Sequence, residues 1–364
     1  MTRIGLIGAG WRSEYYLRIA GELPWLFEIA AVLTASQASA DRMSADWAIP
    51  TTTDLSDFLT RGPYDYVVVS VPRAVAPELV RALSAADIPV LTETPPARDL
   101  DSLTALWSAV GGAPVQVAEQ YRFQPQHSAR LAVAASGALG IVHTAEVSVA
   151  HEYHGVSLIR AALGVGFEPV EVTARLIPDR VVAAHGRDGW LDRPGLIEAT
   201  RTWALLQFDA GIGIYDFADE QYVSPVRSRH ITFRGTEGEL RDDTVRYVAE
   251  AGRAATMSLS REATGLDGDL EGSFLRRIAL GTNVVYENPF VRARLNDDEL
   301  AVAEVMTKMA HFVRTGEPFY SLADGCHDHY LGLLIAESAR AGRAVSSSPQ
   351  AWSGAVSVLA HPAG

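Results

Sequence analysis

Apolar and polar positions follow two rhythms along this chain, and the rhythm changes near Gln120. Before it, short apolar runs alternate with segments of helical spacing. Residues 3–7 (RIGLI), 27–33 (FEIAAVL), 66–71 (YVVVSV), 88–92 and 115–118 read as strands. Residues 13–23, 39–47, 56–60, 76–86 and 100–110 read as helices, the first through Tyr16, Leu17, Ala20 and Leu23. The near-continuous valine of 66–71 marks a strand covered on both faces of a parallel sheet. Strands alternating with helices of about ten residues predict a doubly wound α/β domain over residues 1–120.

After Gln120 the apolar runs lengthen and alternate. Residues 142–150, 169–176, 200–208, 211–217 and 230–235 predict a large, open, mostly antiparallel sheet. Gly211, Gly213 and Gly238 read as hairpin or edge punctuation. Residues 154–163 form a helix ended by Gly164, and 297–315 and 328–341 read as two amphipathic helices. The second domain is therefore α+β, over residues 121–345, with 346–364 as a loose tail or short capping strand.

Bulk properties narrow the function. A chain of 364 residues exceeds one small core, and 48% apolar with 21% charged residues is a globular composition. A formal charge of −13 excludes a global attraction to nucleic acid or an anionic membrane. A polyphosphate ligand must then be held locally, by backbone N–H groups and a few cations. The single cysteine, Cys326, rules out a disulfide framework or Cys-rich metal site. No signal-type segment opens the chain and no apolar run approaches about 18 residues, so a cytoplasmic protein is expected.

The sharpest local signal lies between the first strand and first helix. Gly8, Ala9, Gly10, Trp11, Arg12 and Ser13 follow the strand directly. Gly8 allows the tight turn, Gly10 lets the backbone approach a pyrophosphate, and the helix N-terminus presents unpaired N–H groups to it. Ser13, where a third Gly or Ala is usual, is still small. In this context the turn is a dinucleotide-binding fingerprint, and the domain a Rossmann domain. The second strand ends in Val32, Leu33, Thr34, Ala35 and Ser36, without the acid that binds ribose hydroxyls in NAD enzymes. Thr34, Ser36 and Arg12 could donate to a 2′-phosphate. NAD and NADP both stay open, with a slight preference for NADP.

With that fingerprint, the buried strand ending at Pro72 and the run Thr92, Glu93, Thr94, Pro95, Pro96, the chain resembles the glucose–fructose oxidoreductase/inositol dehydrogenase/MocA (Gfo/Idh/MocA) family. The run from Glu119 to Pro125 (EQYRFQP), ITFRGTEG from Ile231 and ESARAG from Glu337 fit the same order. The resemblance implies NAD(P)-dependent oxidation or reduction of a sugar, cyclitol or related polyol, and a homodimer or homotetramer. It places Ser70, Pro72, Glu93, Thr94 and Gln120 at the cofactor beside the glycine turn. Thr94 stands where the family's Glu-Lys-Pro lysine is usual, and Ala150 where its aspartate is usual. His154 matches the catalytic histidine and is the expected acid–base group. Thr94 positions the substrate, and Tyr121 is a candidate proton donor in place of the lysine. His151, Glu152, Tyr153 and Arg122 are expected at the substrate. Loss of the lysine and aspartate keeps an alternative open: a member that holds its cofactor without ordinary dehydrogenase turnover, for redox-neutral elimination or hydrolysis, or as a sensor.

Two other segments invite chemistry. Cys326, His327, Asp328 and His329 alternate at an expected helix start without shared ligand geometry, so no metal site is expected. Either histidine could reach the substrate instead. His185, Arg187, Asp188 and Trp190 fall in an expected polar loop, 186–195, a solvated connection or a cap over a sugar.

Overall fold

Six parallel strands and an eleven-stranded second sheet organise the computed structural model, which describes residues 1–186, 189–249, 252–264 and 274–360. The first sheet comprises β1 (Thr2–Ile7), β2 (Phe27–Leu33), β3 (Thr51–Thr52), β4 (Tyr66–Val69), β5 (Val90–Thr92) and β6 (Val115–Val117). Its order is β3-β2-β1-β4-β5-β6. The chain crosses it through α1 (Trp11–Glu22), α2 (Gln37–Trp47), α3 (Leu55–Thr60), α4 (Ala76–Ala85) and α5 (Leu100–Val110). Strand order reverses between β1 and β4, which opens a crevice beyond their carboxyl ends. All four residues of β4 are buried, as the valine run predicts. The two-residue β3 is too short to give a periodic signal.

The second half begins with α6 (Pro125–Ala135), β7 (Val142–Ser148) and α7 (Glu152–Leu163). A long hairpin follows, β8 (Val170–Gly186) and β9 (Gly189–Phe208), then β10 (Gly211–Phe217). Next come β11 (His230–Gly235), β12 (Gly238–Arg241), β13 (Thr244–Ala249), β14 (Arg253–Ala263), β15 (Leu275–Leu280) and β16 (Asn283–Glu287). Helices α8 (Asp297–Thr315) and α9 (Leu322–Ala341) and the short β17 (Val345–Ser346) complete it. The sheet is antiparallel except where β10 runs parallel to β7. Its inner face buries Ala145, Val147, Tyr215, Phe217, Ile231 and Phe233 together with Val156, Leu158 and Ile159 of α7.

Two expectations need correction. The polar loop at 186–195 is instead a hairpin arm: β8 and β9 stay paired from Val170 and Phe208 out to Gly186 and Gly189. Arg187 and Asp188 lie outside the described residues. The Cys326–His329 run lies within α9, which starts at Leu322 with Ser321 as its cap. Of the two alternatives for the C-terminal stretch, the structure has a short strand: Val345 and Ser346 pair with Val172 and Glu171, and Trp352 is fully buried. Residues 361–364 lie outside the described part. Helix α8 does not stay with the second sheet. Its Leu300, Val305 and Met306 pack with Ile4, Leu6, Tyr66 and Val68 of the first.

Candidate active site

A cleft of about 820 Å³ opens at the carboxyl ends of β1, β2, β4 and β5. Its floor is the glycine turn. Gly8 sits at φ +126°, and a Cβ there would meet the Ser70 carbonyl oxygen at 2.0 Å. Gly10 caps α1 without any side-chain bond, and its own Cβ would point into open space. These are the requirements of an anion cradle: a turn that only glycine makes, and an uncapped helix N-terminus facing a void. Ala9, Trp11 and Arg12 continue the wall, with Thr34 and Ser39 on one side and Ser70, Pro72, Glu93 and Thr94 on the other.

Arg12 is engaged at the Glu93 end. Its Nε lies 3.8 Å from Glu93 Oε1, which also accepts from the Tyr16 hydroxyl at 2.7 Å. Gln120 completes the contact, accepting from Arg12 Nη2 at 3.1 Å while its amide nitrogen donates to the Ala118 carbonyl. The Thr34 hydroxyl already donates to the Ser36 carbonyl at 3.0 Å, and Ser36 caps α2. The preference for NADP thus loses the cation on which it rested. A second cation, Arg42, unforeseen from sequence, donates to the Ala9 carbonyl at 2.7 Å.

At the far end the cleft is walled by His151, Tyr153 and His154, from the start of α7. His151 is the cap residue of α7 and Glu152 follows at φ +28°, a strained value for a side-chain-bearing residue. Two tyrosines of the second half hold this end: the His151 N–H donates to Tyr222 Oη at 2.9 Å and the Glu152 N–H to Tyr215 Oη at 2.8 Å. A second cavity, about 520 Å³, lies on the other side of His151 and Tyr153. Its walls are polar: Arg73, Glu152, Glu198, Thr200, Thr202, Asp219 and Glu220, over the rings of Tyr215 and Phe217. His151 and Tyr153 are common to both walls.

His154 is buried, and its Nδ1 lies 2.5 Å from Glu119 Oε2. The carboxylate beside His154 therefore comes from another element, just past β6. Glu119 also accepts from the Tyr121 N–H at 2.9 Å. Burial pushes the Glu119 carboxyl up to about 8 and the His154 imidazole down to about 3. Near neutral pH the pair is uncharged, a protonated carboxyl donating to a neutral ring. A carboxyl raised above its ordinary 4.5 leaves stability intact below that value and removes it as pH rises towards 8. Glu119→Gln is expected to gain roughly 1–3 kcal/mol over wild type at pH 8 and nothing below pH 5. Urea melts across that range check it, and a pH-independent difference would refute the assignment.

Not every expected residue reaches a cavity. Tyr121 stacks behind His154, ring centroids 4.3 Å apart, so it is not the donor facing the cleft. Arg122 turns away, over Phe123 and Tyr320 at 5.2 and 5.8 Å, and lines neither cavity. His329 contacts the Arg98 carbonyl at 3.0 Å, and His327 accepts from Trp352 Nε1 at 3.3 Å, so neither is a substrate ligand. His185 packs edge-on to Trp190 at 5.4 Å, on the arm. Glu119, Tyr215, Tyr222 and Arg73 are the residues that sequence alone does not single out. Only Glu119 left a trace, as an acid directly following the last parallel strand.

Comparison with known proteins fits this geometry. Residues 2–121 match the model of the oxidoreductase family with an NAD-binding Rossmann fold, Gfo/Idh/MocA. No curated protein matches the sequence. Among solved structures, an oxidoreductase from Agrobacterium radiobacter, in complex with NAD+, L-tartaric acid and magnesium, is 18% identical with a TM-score of 0.68, over 94% of this chain and 98% of that one. A myo-inositol dehydrogenase from Corynebacterium glutamicum is 17% identical (TM-score 0.64, over 96% and 99%). A levoglucosan dehydrogenase in complex with NADH and levoglucosan is 16% identical (TM-score 0.67, over 95% and 99%). At such identities the likeness is one of fold.

Proposed function

Because the chain carries the NAD-binding Rossmann domain of the Gfo/Idh/MocA oxidoreductase family, we propose that it is an NAD-dependent oxidoreductase acting on a hydroxyl-bearing carbon of a sugar, cyclitol or related polyol. One observation carries this reading: the dinucleotide-sized cleft and the polar cavity share His151 and Tyr153 as a common wall. Gly8, Gly10 and the open end of α1 fit a pyrophosphate, Thr34 and Ser39 line the β2 side, and Glu93 and Thr94 line the end near His154. Bound there, NAD supplies the two-electron acceptor or donor. The chain itself supplies orientation and proton handling. Carboxylates and threonines above aromatic rings suit a molecule of many hydroxyls and C–H faces. The fold neighbours named as myo-inositol and levoglucosan dehydrogenases support that class.

Thr94 in place of lysine favours a second reading, in which the cofactor is held without net turnover. A threonine hydroxyl carries no charge to stabilise an alkoxide. Assembly as a homodimer or homotetramer accords with the open outer face of the second sheet, where Leu176 and Leu196 are exposed. Among the described residues, no helix is long and apolar enough to cross a membrane.

The test is fluorescence titration with NADH and NADPH, followed by NAD reduction assays with myo-inositol, levoglucosan, sorbose and L-tartrate. Saturable NADH binding with turnover of one polyol is expected. Tight binding with retained cofactor and no turnover across a broad polyol panel would favour the second reading. No binding by folded, cofactor-free protein would overturn both.

A further inference from the structure

The group at the shared wall is Tyr153, and it does not stand alone. His151 Nε2 lies 2.8 Å from Tyr153 Oη, and His151 Nδ1 lies 2.6 Å from Tyr222 Oη. Tyr222 in turn lines a separate surface cleft of about 470 Å³, with His185, Gln221, Ser224, Arg227 and Arg229. Arg227 and Arg229 are exposed there. A phenol, an imidazole and a second phenol thus run from the junction of the two cavities to a residue that lines the surface cleft.

We propose that Tyr153 is the proton-exchanging group of the site and that His151 and Tyr222 relay its proton to the surface cleft, a proposal that rests on the polyol oxidoreductase reading. Donor counting sets the direction at rest. Tyr222 Oη already accepts from the His151 backbone N–H and from the Tyr121 hydroxyl, so its own hydrogen satisfies His151 Nδ1. The ring proton then sits on Nε2 and donates to Tyr153 Oη, which leaves the Tyr153 hydrogen free for the cavity. Burial pushes His151 down to about 4, with His154 and Arg73 adding to this and Asp219 opposing it, so the imidazole is neutral and can pass a proton between its two nitrogens.

In the reducing direction the substrate carbonyl carbon takes the hydride, and its oxygen takes the Tyr153 proton as that O–H bond breaks. The His151 Nε2 proton moves to Tyr153 Oη, the Tyr222 proton moves to His151 Nδ1, and water in the surface cleft reprotonates Tyr222. Oxidation runs the same bonds backwards through the other tautomer. His154 is the less suitable group. It lines only the cofactor cleft, its Nδ1 is committed to Glu119, and the protonated carboxyl leaves a donor, not a lone pair, on its Nε2.

Two measurements test the relay. The first needs no substrate: nitrogen NMR of protein labelled at histidine, with His151 assigned by its loss in His151→Gln. A neutral Nε2–H tautomer at pH 7 that becomes mixed in Tyr222→Phe is expected. An imidazolium, an Nδ1–H tautomer, or no response to Tyr222→Phe would overturn the relay. The second uses whichever polyol the panel identifies. Tyr153→Phe is expected to lower kcat roughly 10²- to 10³-fold with NADH affinity held within about threefold. His151→Gln should lose as much and recover in part with added imidazole. Tyr222→Phe should change a bowed proton inventory in mixed H2O/D2O to a straight line. A Tyr153→Phe enzyme with more than a third of wild-type kcat would refute the assignment. Failure of every polyol would count against the oxidoreductase reading alone, because the tautomer measurement still decides the relay.

Discussion

Arg160→Met is expected to destabilise the protein by about 3–5 kcal/mol, the cost of stranding buried carboxylates. Arg160 lies on α7 with no exposed surface, its Nη1 2.5 Å from Asp328 Oδ1 and its Nη2 3.0 Å from Asp324 Oδ1. The Gly166 carbonyl accepts from Nε and Nη2, the Ser357 hydroxyl donates to Asp324, and the Tyr320 hydroxyl donates to Asp328. One cation therefore joins α7, α9 and the C-terminal stretch. Methionine fills the volume but leaves two carboxylates without a counter-charge. Even with Arg160 present, burial lifts Asp328 to about 7. Removing the arginine raises Asp328 further, so the loss is largest at pH 8 and smaller at pH 5, where Asp328 is protonated. Adding Asp324→Asn and Asp328→Asn should recover much of the stability, since neutral amides carry no stranded charge. Urea melts of the single and triple variants decide it; a single-variant change below about 1 kcal/mol would show that the network contributes nothing net. The same helix carries His151, Tyr153 and His154 at its start, so activity should fall with the fold.

Gly10→Arg is expected to weaken NADH binding at least a hundredfold while leaving the melting temperature close to wild type. No atom lies within 4 Å of where its Cβ would be, and its φ of −84° suits any residue. The arginine side chain then occupies the space above the open end of α1. Gly8→Ala has the opposite character: at φ +126° and 2.0 Å from the Ser70 carbonyl, its methyl group must displace β4 from β1. That variant should lose stability, by about 2–4 kcal/mol for combined strain and overpacking, and lose binding as a consequence. Calorimetry beside the NADH titration separates the two. Equal melting temperatures for both variants would mean the turn is not built as described.

The parts of the fold legible in the sequence are those with local causes. The valine run of β4, the glycine turn and the amphipathic spacing of α8 each announce themselves locally. The strands β12 to β16 were not legible because their alternation is diluted by charge: β14 exposes most of its side chains. Helix α6 gives no clear periodic signal because its stripe is interrupted by Gln126, His127 and Arg130, two of which are buried against each other. The site divides the same way. Gly8, Gly10, Thr94 and His154 stand out through chain order, and all four line the cleft. Glu119 meets His154 across a gap in sequence that no spacing rule spans, and the Tyr222 hydroxyl is brought to His151 from the second half of the chain. Arg122 and Tyr121 were misplaced because proximity to a strand end says nothing about which way a side chain turns.

The position of α8 also has a consequence for how the protein is made. The first sheet leaves the ribosome long before the helix that covers Ile4, Leu6, Tyr66 and Val68 has been translated. Until then a greasy face of the nucleotide-binding half stands open on the nascent chain. Synthesis from the N-terminus therefore cannot finish that half first and the other later; the last third of the message closes the first third of the protein. Fragments ending near residue 121 should for this reason need a chaperone or a solubilising partner, although they contain the whole glycine turn.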